Sequence, residues 1–158
     1  MNNIYYKGDD MKQEVVILVA EDDEGHAGLI KKNLFRAGIS NEIMHFRDGQ
    51  EIIDFLFRLG EGPHRTPGAS YIILLDIRMP KVDGVEVLRR IKADPELKKI
   101  PVMMITTTDD PREVETCHTL GCSNYITKPV ENEAFVNAIR QLGLFLTVVQ
   151  VPKVNGIH

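Results

Sequence analysis

Five residues lying far apart in the chain have side chains that could do chemistry together: Glu21, Asp22, Asp76, Thr106 and Lys128. Each closes or directly follows a short apolar run, and such runs bounded by turn residues read as strands buried on both faces. Tyr71-Ile72-Ile73-Leu74-Leu75 runs straight into Asp76, and Pro80 follows four residues later. A carboxylate in that place is either a turn cap or a reactive group in the crevice where open α/β sheets put their chemistry. Its partners favour the reactive group. Three acids gathered in a partly dry crevice raise one another's pKa by repulsion unless a cation relieves them. Mg2+, a hard ion suited to carboxylate, carbonyl and water oxygens, is the cofactor this set points to. Together with Lys128 it would neutralise the three acids. A dianionic phosphoryl group on Asp76 would then leave a single surplus negative charge, against a threefold surplus without the cation, so phosphorylation should need the metal.

Such residues need a scaffold that brings several strand ends to one rim. Val15 to Ala20, Ile43 to Phe46, Tyr71 to Leu75, Val102 to Thr106 and Asn124 to Thr127 read as strands. Helical patterns alternate with them. Ala27, Ile30 and Leu34 share one face after the first strand, and Gly38 is a good stop. Glu51 to Leu59 predicts a helix with Ile52, Phe55, Leu56 and Leu59 inward. Gly60 to Ser70 reads as a long loop. Helices are expected over Val85 to Ala93, ended by Pro95; over Arg112 to Leu120, ended by Gly121; and over Glu131 to Leu142, with Phe135, Ala138, Ile139 and Leu142 buried. Five strands alternating with five helices argue for an α/β/α sandwich, a parallel sheet covered on both faces by right-handed crossovers.

The chain is long enough for one domain with a real core. A net charge of -4 without a basic stripe argues against direct nucleic-acid binding. Charged residues interrupt every apolar run, so no membrane span is expected. Met1 to Asp10 has no apolar centre like that of a secretory signal, which makes the expected location cytoplasmic. Residues 1–13 read as a flexible extension and 14–143 as the domain. Residues 144–158 read as an apolar tail. Within that tail, Leu144 to Val151 needs something to pack on: it extends the last helix onto a second chain, making a homodimer, or folds back over its own domain. Cys117 and Cys122 fit no zinc or thioredoxin-type spacing and read as small packing residues. Asp23 and Glu24 read as helix-start charges. The five histidines show no metal spacing; His26 follows the acidic cluster, and a solvated helix residue is favoured over a place near the rim.

The acidic pair Glu21-Asp22, Leu75-Asp76-Ile77-Arg78-Met79-Pro80 with Asp83-Gly84, the strand-end Thr106, and Tyr125-Ile126-Thr127-Lys128-Pro129 follow one another in order. In this set the chain resembles the receiver domain of two-component response regulators, similar to CheY. Its pattern is that of the small receivers that partner phytochrome-type and related sensor kinases. The resemblance runs from about Val15 to Leu142. It implies a flavodoxin-like fold with a five-stranded parallel sheet in order 2-1-3-4-5. It also implies that Asp76 is the phosphoacceptor, taking its phosphoryl group from a histidine kinase. Mg2+ would be held by Asp22, by Glu21 directly or through water, by Asp76 and by the Arg78 backbone carbonyl. Lys128 would pair with phosphate oxygen, ahead of a cis bond to Pro129. Thr106 would donate its hydroxyl to the phosphoryl group and shift toward it, and Tyr125 would rotate into the vacated space, a packing switch biased by local charge.

The sequence departs from the usual pattern in places. Glu21 stands where aspartate is common, and Thr107 where a small residue is usual. Arg78 and Thr108 occupy positions that vary with phosphate lifetime. Crowding by Thr107 is expected to slow autodephosphorylation. No segment after Leu142 is long enough for a helix-turn-helix or an enzyme, so output is expected through a downstream protein, still unknown. A competing reading is a small phosphatase or phosphotransferase with an aspartate nucleophile. Such enzymes carry a second aspartate two residues on, where this chain has Arg78, and the expectation is therefore of no enzyme beyond Mg-dependent self-phosphorylation and slow dephosphorylation. A degenerate receiver scaffold is disfavoured by the intact Glu21, Asp22, Asp76, Thr106 and Lys128.

Overall fold

The structure, a computed structural model, describes residues 14–128, 133–148 and 151–156. Strands β1 (Val15–Ala20), β2 (Ile43–Phe46), β3 (Ala69–Leu75), β4 (Val102–Thr106) and β5 (Asn124–Thr127) form a parallel sheet in the order β2-β1-β3-β4-β5, as expected. Between and after them come helices α1 (Glu24–Arg36), α2 (Gly49–Phe57), α3 (Gly84–Ala93), α4 (Pro111–Leu120) and α5 (Glu133–Val148), with a 3-10 turn at Leu97–Lys99. A two-residue strand, β6 (Lys153–Val154), pairs antiparallel with the start of β3. Among the described residues no helix is long and apolar enough to cross a membrane.

The continuous apolar runs make sense once both faces of the sheet are covered. On one face, Val15, Ile17 and Val19 of β1 with Ile72 and Leu74 of β3 pack against Ile30 and Leu34 of α1 and Phe135, Ile139 and Leu142 of α5. On the other, Leu18, Ala20, Tyr71, Ile73 and Leu75 meet Phe55 and Leu56 of α2, Leu88 and Ile91 of α3, and Cys117. Each such aliphatic side chain removed from water contributes about 1.5–3 kcal/mol. The two cysteines are free and buried, as packing residues would be.

Register places the candidate chemistry. Ala20 lies opposite both Phe46 and Leu75, so Glu21 and Asp76 leave neighbouring strands at one level. The ladder continues one step past the strands: the Asp76 N–H donates to the Ala20 carbonyl (3.0 Å), the Glu21 N–H to Phe46 (3.0 Å), and the Lys128 N–H to Thr106 (2.8 Å). Aspartates cap the helices that begin at this rim, Asp23, Asp48, Asp83 and Asp110 accepting from His26, Glu51, Glu86 and Arg112 N–H groups. Gly84 permits a close approach behind the acid: a Cβ there would lie 2.0 Å from the Asp76 carbonyl oxygen. The need for glycine behind Asp76 is thus steric.

Several sequence expectations need adjusting. Helix α2 starts two residues early, because Asp48 caps it, and ends at Phe57, because Arg58 turns left-handed (φ 58°). That break in the helical period leaves Leu59, expected inside, 47% exposed. Strand β3 begins at Ala69, within the expected loop, and the last helix runs on to Val148. The Lys128–Pro129 bond and residues 1–13 lie outside the described residues.

Beyond α5 the chain folds back over its own domain. Val151 and Val154 are buried, the latter in the same core as Tyr71. The Gly68 N–H donates to the Val154 carbonyl (2.8 Å), and the Ser70 hydroxyl to that of Val151 (3.2 Å). Arg65 is buried with its guanidinium donating to the carbonyls of Leu56 (2.8 Å) and Asn155 (2.9 Å), and burial pushes its pKa down. The tail therefore supplies acceptors to two buried polar side chains, Arg65 and Ser70. Truncation after Val148 should cost about 2–4 kcal/mol in denaturant unfolding, since it strands these donors and uncovers two valines. An unchanged midpoint would show that the segment adds nothing to the fold.

Candidate functional site

Four expected residues meet at the rim. The Lys128 ammonium donates to Glu21 Oε1 at 2.5 Å and to Asp76 Oδ2 at 3.2 Å, linking the ends of β5, β1 and β3. All three side chains are almost wholly buried, with Lys128 and Glu21 each 2% exposed. Asp22 faces solvent beside them. One carboxylate oxygen from each of Glu21, Asp22 and Asp76 falls within a cluster no wider than 4.8 Å. Glu21 is held further by the Asp23 N–H on its Oε2 (3.1 Å) and by His45 Nε2 on its backbone carbonyl (2.7 Å).

The cluster is electrostatically unfinished. Burial pushes the Glu21 pKa up to about 7, assisted by the neighbouring Asp76 charge and opposed by the hydrogen bond and charge of Lys128. Asp76 Oδ1 is buried and has no hydrogen-bond partner among the described residues. A buried carboxylate oxygen with nothing to bond it is costly. One ammonium facing three carboxylates leaves negative charge over, and an all-oxygen donor set of acids suits a hard divalent ion. The residues present therefore fit a Mg2+ or Mn2+ ion, held by Glu21, Asp22 and Asp76.

The remaining expected residues surround this cluster. Thr106 ends β4 and is fully buried, its Oγ1 accepting from the Thr108 N–H at 3.4 Å. Tyr125 is half-buried in β5 and does not reach the acids, but its hydroxyl donates to the Thr108 carbonyl (2.9 Å). Thr108 thus joins Thr106 to Tyr125, and burial pushes the Tyr125 phenol up to about 12. Arg78 lies on the loop after β3, and its exposed guanidinium reaches Glu113 of α4 at 3.3 Å. Two histidines have places that the favoured sequence reading did not give them. His45 anchors the Glu21 backbone, and His26 turns its Nδ1 to Lys128 Nζ at 3.1 Å instead of to water alone. The signal for His26 is its place just after the acidic cluster, which raises the rim as the alternative to a solvated helix position.

Residues 17–140 match the response regulator receiver domain. The chain belongs to that family. Response regulator Rcp1 of Synechocystis sp. (strain PCC 6803) is 36% identical over 120 residues, which cover 76% of this chain and 80% of Rcp1. The Mn2+-bound form of Rcp1 superposes with a TM-score of 0.74 at 33% identity, covering 87% of this chain and 98% of that one. A receiver domain from Rhodospirillum rubrum gives a TM-score of 0.78 at 46% identity, covering 89% and 99%. The phosphorylated cyanobacterial phytochrome response regulator RcpA gives 0.74 at 31% identity, also covering 89% and 99%. This receiver is therefore part of two-component signalling and is similar to receivers of phytochrome systems.

The raised Glu21 pKa has a direction that can be measured without metal. Between its unfolded value of 4.5 and about 7, the folded chain keeps a proton that the unfolded chain releases. The stability this confers is complete below 4.5 and is lost as the pH rises through about 7. Thermal unfolding of the metal-free protein should show that decline, and Glu21→Gln should flatten it. Parallel profiles for the two proteins would refute the assignment.

Proposed function

We propose that this receiver is a phosphorylation-dependent switch in which Asp76 accepts a phosphoryl group from the phosphohistidine of a sensor kinase. The observation that carries this reading is the buried Lys128 ammonium bridging Asp76 and Glu21 while Asp76 Oδ1 has no partner among the described residues. In the transfer, a carboxylate oxygen of Asp76 forms the bond to phosphorus as the donor's N–P bond breaks. The electron pair returns to the donor imidazole, which needs no leaving-group proton from the receiver. Mg2+, held by Glu21, Asp22, Asp76 and the Arg78 backbone carbonyl, would supply the positive charge that a dianionic group demands beside two acids. Lys128 is placed to follow from Asp76 Oδ2 onto a phosphoryl oxygen. The Mn2+-bound form of Rcp1 and the phosphorylated form of RcpA support both parts of this reading.

Output follows from the Thr108 link. Movement of the Thr106 hydroxyl toward a phosphoryl group releases the Thr108 N–H, and the same residue's carbonyl holds the Tyr125 hydroxyl. The loop and the ring are thus coupled, and the face built by α4, β5 and α5 changes with them. A downstream protein, or a second copy of the receiver, would read that face. Chemistry on an external substrate is disfavoured because the position two residues after Asp76 carries Arg78, engaged with Glu113 and unable to serve as an acid.

Incubation with a small acyl phosphate and Mg2+ should add one phosphoryl group by intact mass, absent in Asp76→Asn and after chelation. Continuous turnover of the donor without a phosphorylated protein would favour the enzyme reading instead. Thr107, exposed beside Thr106, is placed to crowd a water attacking the acyl phosphate. Thr107→Ala should shorten the phosphoryl lifetime by about threefold, followed as loss of the added mass, and an unchanged lifetime refutes that role.

A further inference from the structure

The Lys128 ammonium has three N–H donors, and the structure gives each an acceptor: Glu21 Oε1 (2.5 Å), Asp76 Oδ2 (3.2 Å) and His26 Nδ1 (3.1 Å). Two of these acceptors are committed elsewhere by the function proposed above. Glu21 belongs to the acid set that fits a divalent cation, and Asp76 gives up its charge when it becomes an acyl phosphate. The imidazole is the one acceptor in the trio that neither event claims.

We propose that His26 is a positioning residue, holding the Lys128 ammonium on the phosphoryl group once the two carboxylates are engaged. This rests on the reading of Asp76 as the phosphoacceptor. The backbone prepares His26 for the task. It is the third residue of α1, and its N–H is fixed on the Asp23 cap at 2.9 Å. Its side chain is 37% exposed, and Nδ1 also lies 3.9 Å from Glu21 Oε2. Because the ammonium can only donate, the contact is a hydrogen bond when Nδ1 presents its lone pair and the ring proton sits on Nε2. In the unphosphorylated protein the two carboxylates suffice to hold Lys128, so the imidazole contributes little there. In the phosphorylated protein it is the protein's remaining anchor on that ammonium.

The test compares full-length wild type with His26→Ala and with His26→Asn, whose Oδ1 occupies the place of Nδ1. Phosphorylation by a small acyl phosphate with Mg2+ should slow about tenfold in the alanine variant, the loss expected of one hydrogen bond to a charged group. Asparagine should recover most of it. Binding of beryllofluoride, a phosphoryl mimic, should weaken and recover in parallel. Metal-free unfolding temperature should move little across all three, because the carboxylate contacts to Lys128 persist there, and Mg2+ affinity, measured calorimetrically, should stay within about twofold, because the imidazole is not among the residues that would hold the ion. Nitrogen NMR of the metal-free wild type should show an unprotonated Nδ1 on His26. An alanine variant as fast as wild type, an asparagine variant no better than alanine, a loss matched by equal loss of Mg2+ affinity, or a protonated Nδ1 each overturns the proposal. If wild type takes neither phosphoryl group nor mimic, the reading of Asp76 fails, and the tautomer still decides the contact itself.

Discussion

Lys128 carries an ammonium into a place where almost no water reaches it, and the rest of the rim is arranged around keeping it there. Desolvating an ammonium and two carboxylates costs several kcal/mol per ion, recovered only if their geometry is tightly held. The structure holds it by backbone means. The three residues extend the sheet ladder one step past β1, β3 and β5, each with its own N–H on a neighbouring strand. The strands beneath are apolar on both faces and leave those ends no freedom to drift apart. Burial that would be wasteful in an ordinary surface pair thus becomes a means of keeping acids concentrated and partly uncompensated.

Uncompensated charge is what distinguishes this site from a structural ion pair. In a finished pair both carboxylates would be satisfied and their pKa values low. Here Glu21 is pushed upward and one oxygen of Asp76 has no partner among the described residues. The cluster is stable because the fold pays elsewhere, and it is responsive for the same reason. Besides Lys128 itself, Thr106, Thr108 and Tyr125 form a route from it toward β5, running through one residue's N–H and carbonyl.

Much of this could be read in the residues before any coordinates. Four of the strands have the predicted limits, since runs such as Val15 to Ala20 are unmistakable when both faces are buried. Glu21, Asp76 and Lys128 converge as expected because strand ends in a parallel sheet share a rim. The misreadings have one cause, which is tertiary context. Ala69 and Ser70 carry no strand signal of their own and become β-structure by pairing with β1 and β6. Asp48-Gly49 looks like a turn and is a helix cap, a difference set by Gly49 lying so close to Val82 that a Cβ would fall 1.8 Å from its carbonyl oxygen. A lone histidine after an acidic run gives no hint of where its ring points. That depends on how α1 sits against the end of β5, which no local pattern encodes.

The short antiparallel pairing at the start of β3 bears on how the domain can deform. Beyond it, β3 is flanked by β1 along its length and by β4 from Ile73 onward, so the strand that carries Asp76 is clamped at its far end as well as at its sides. Among the described residues β5 pairs with β4 alone, so it lacks the bracing on both sides that β3 has. The tail thus adds a third partner to a strand that already has two, and leaves the sheet's edges as they were.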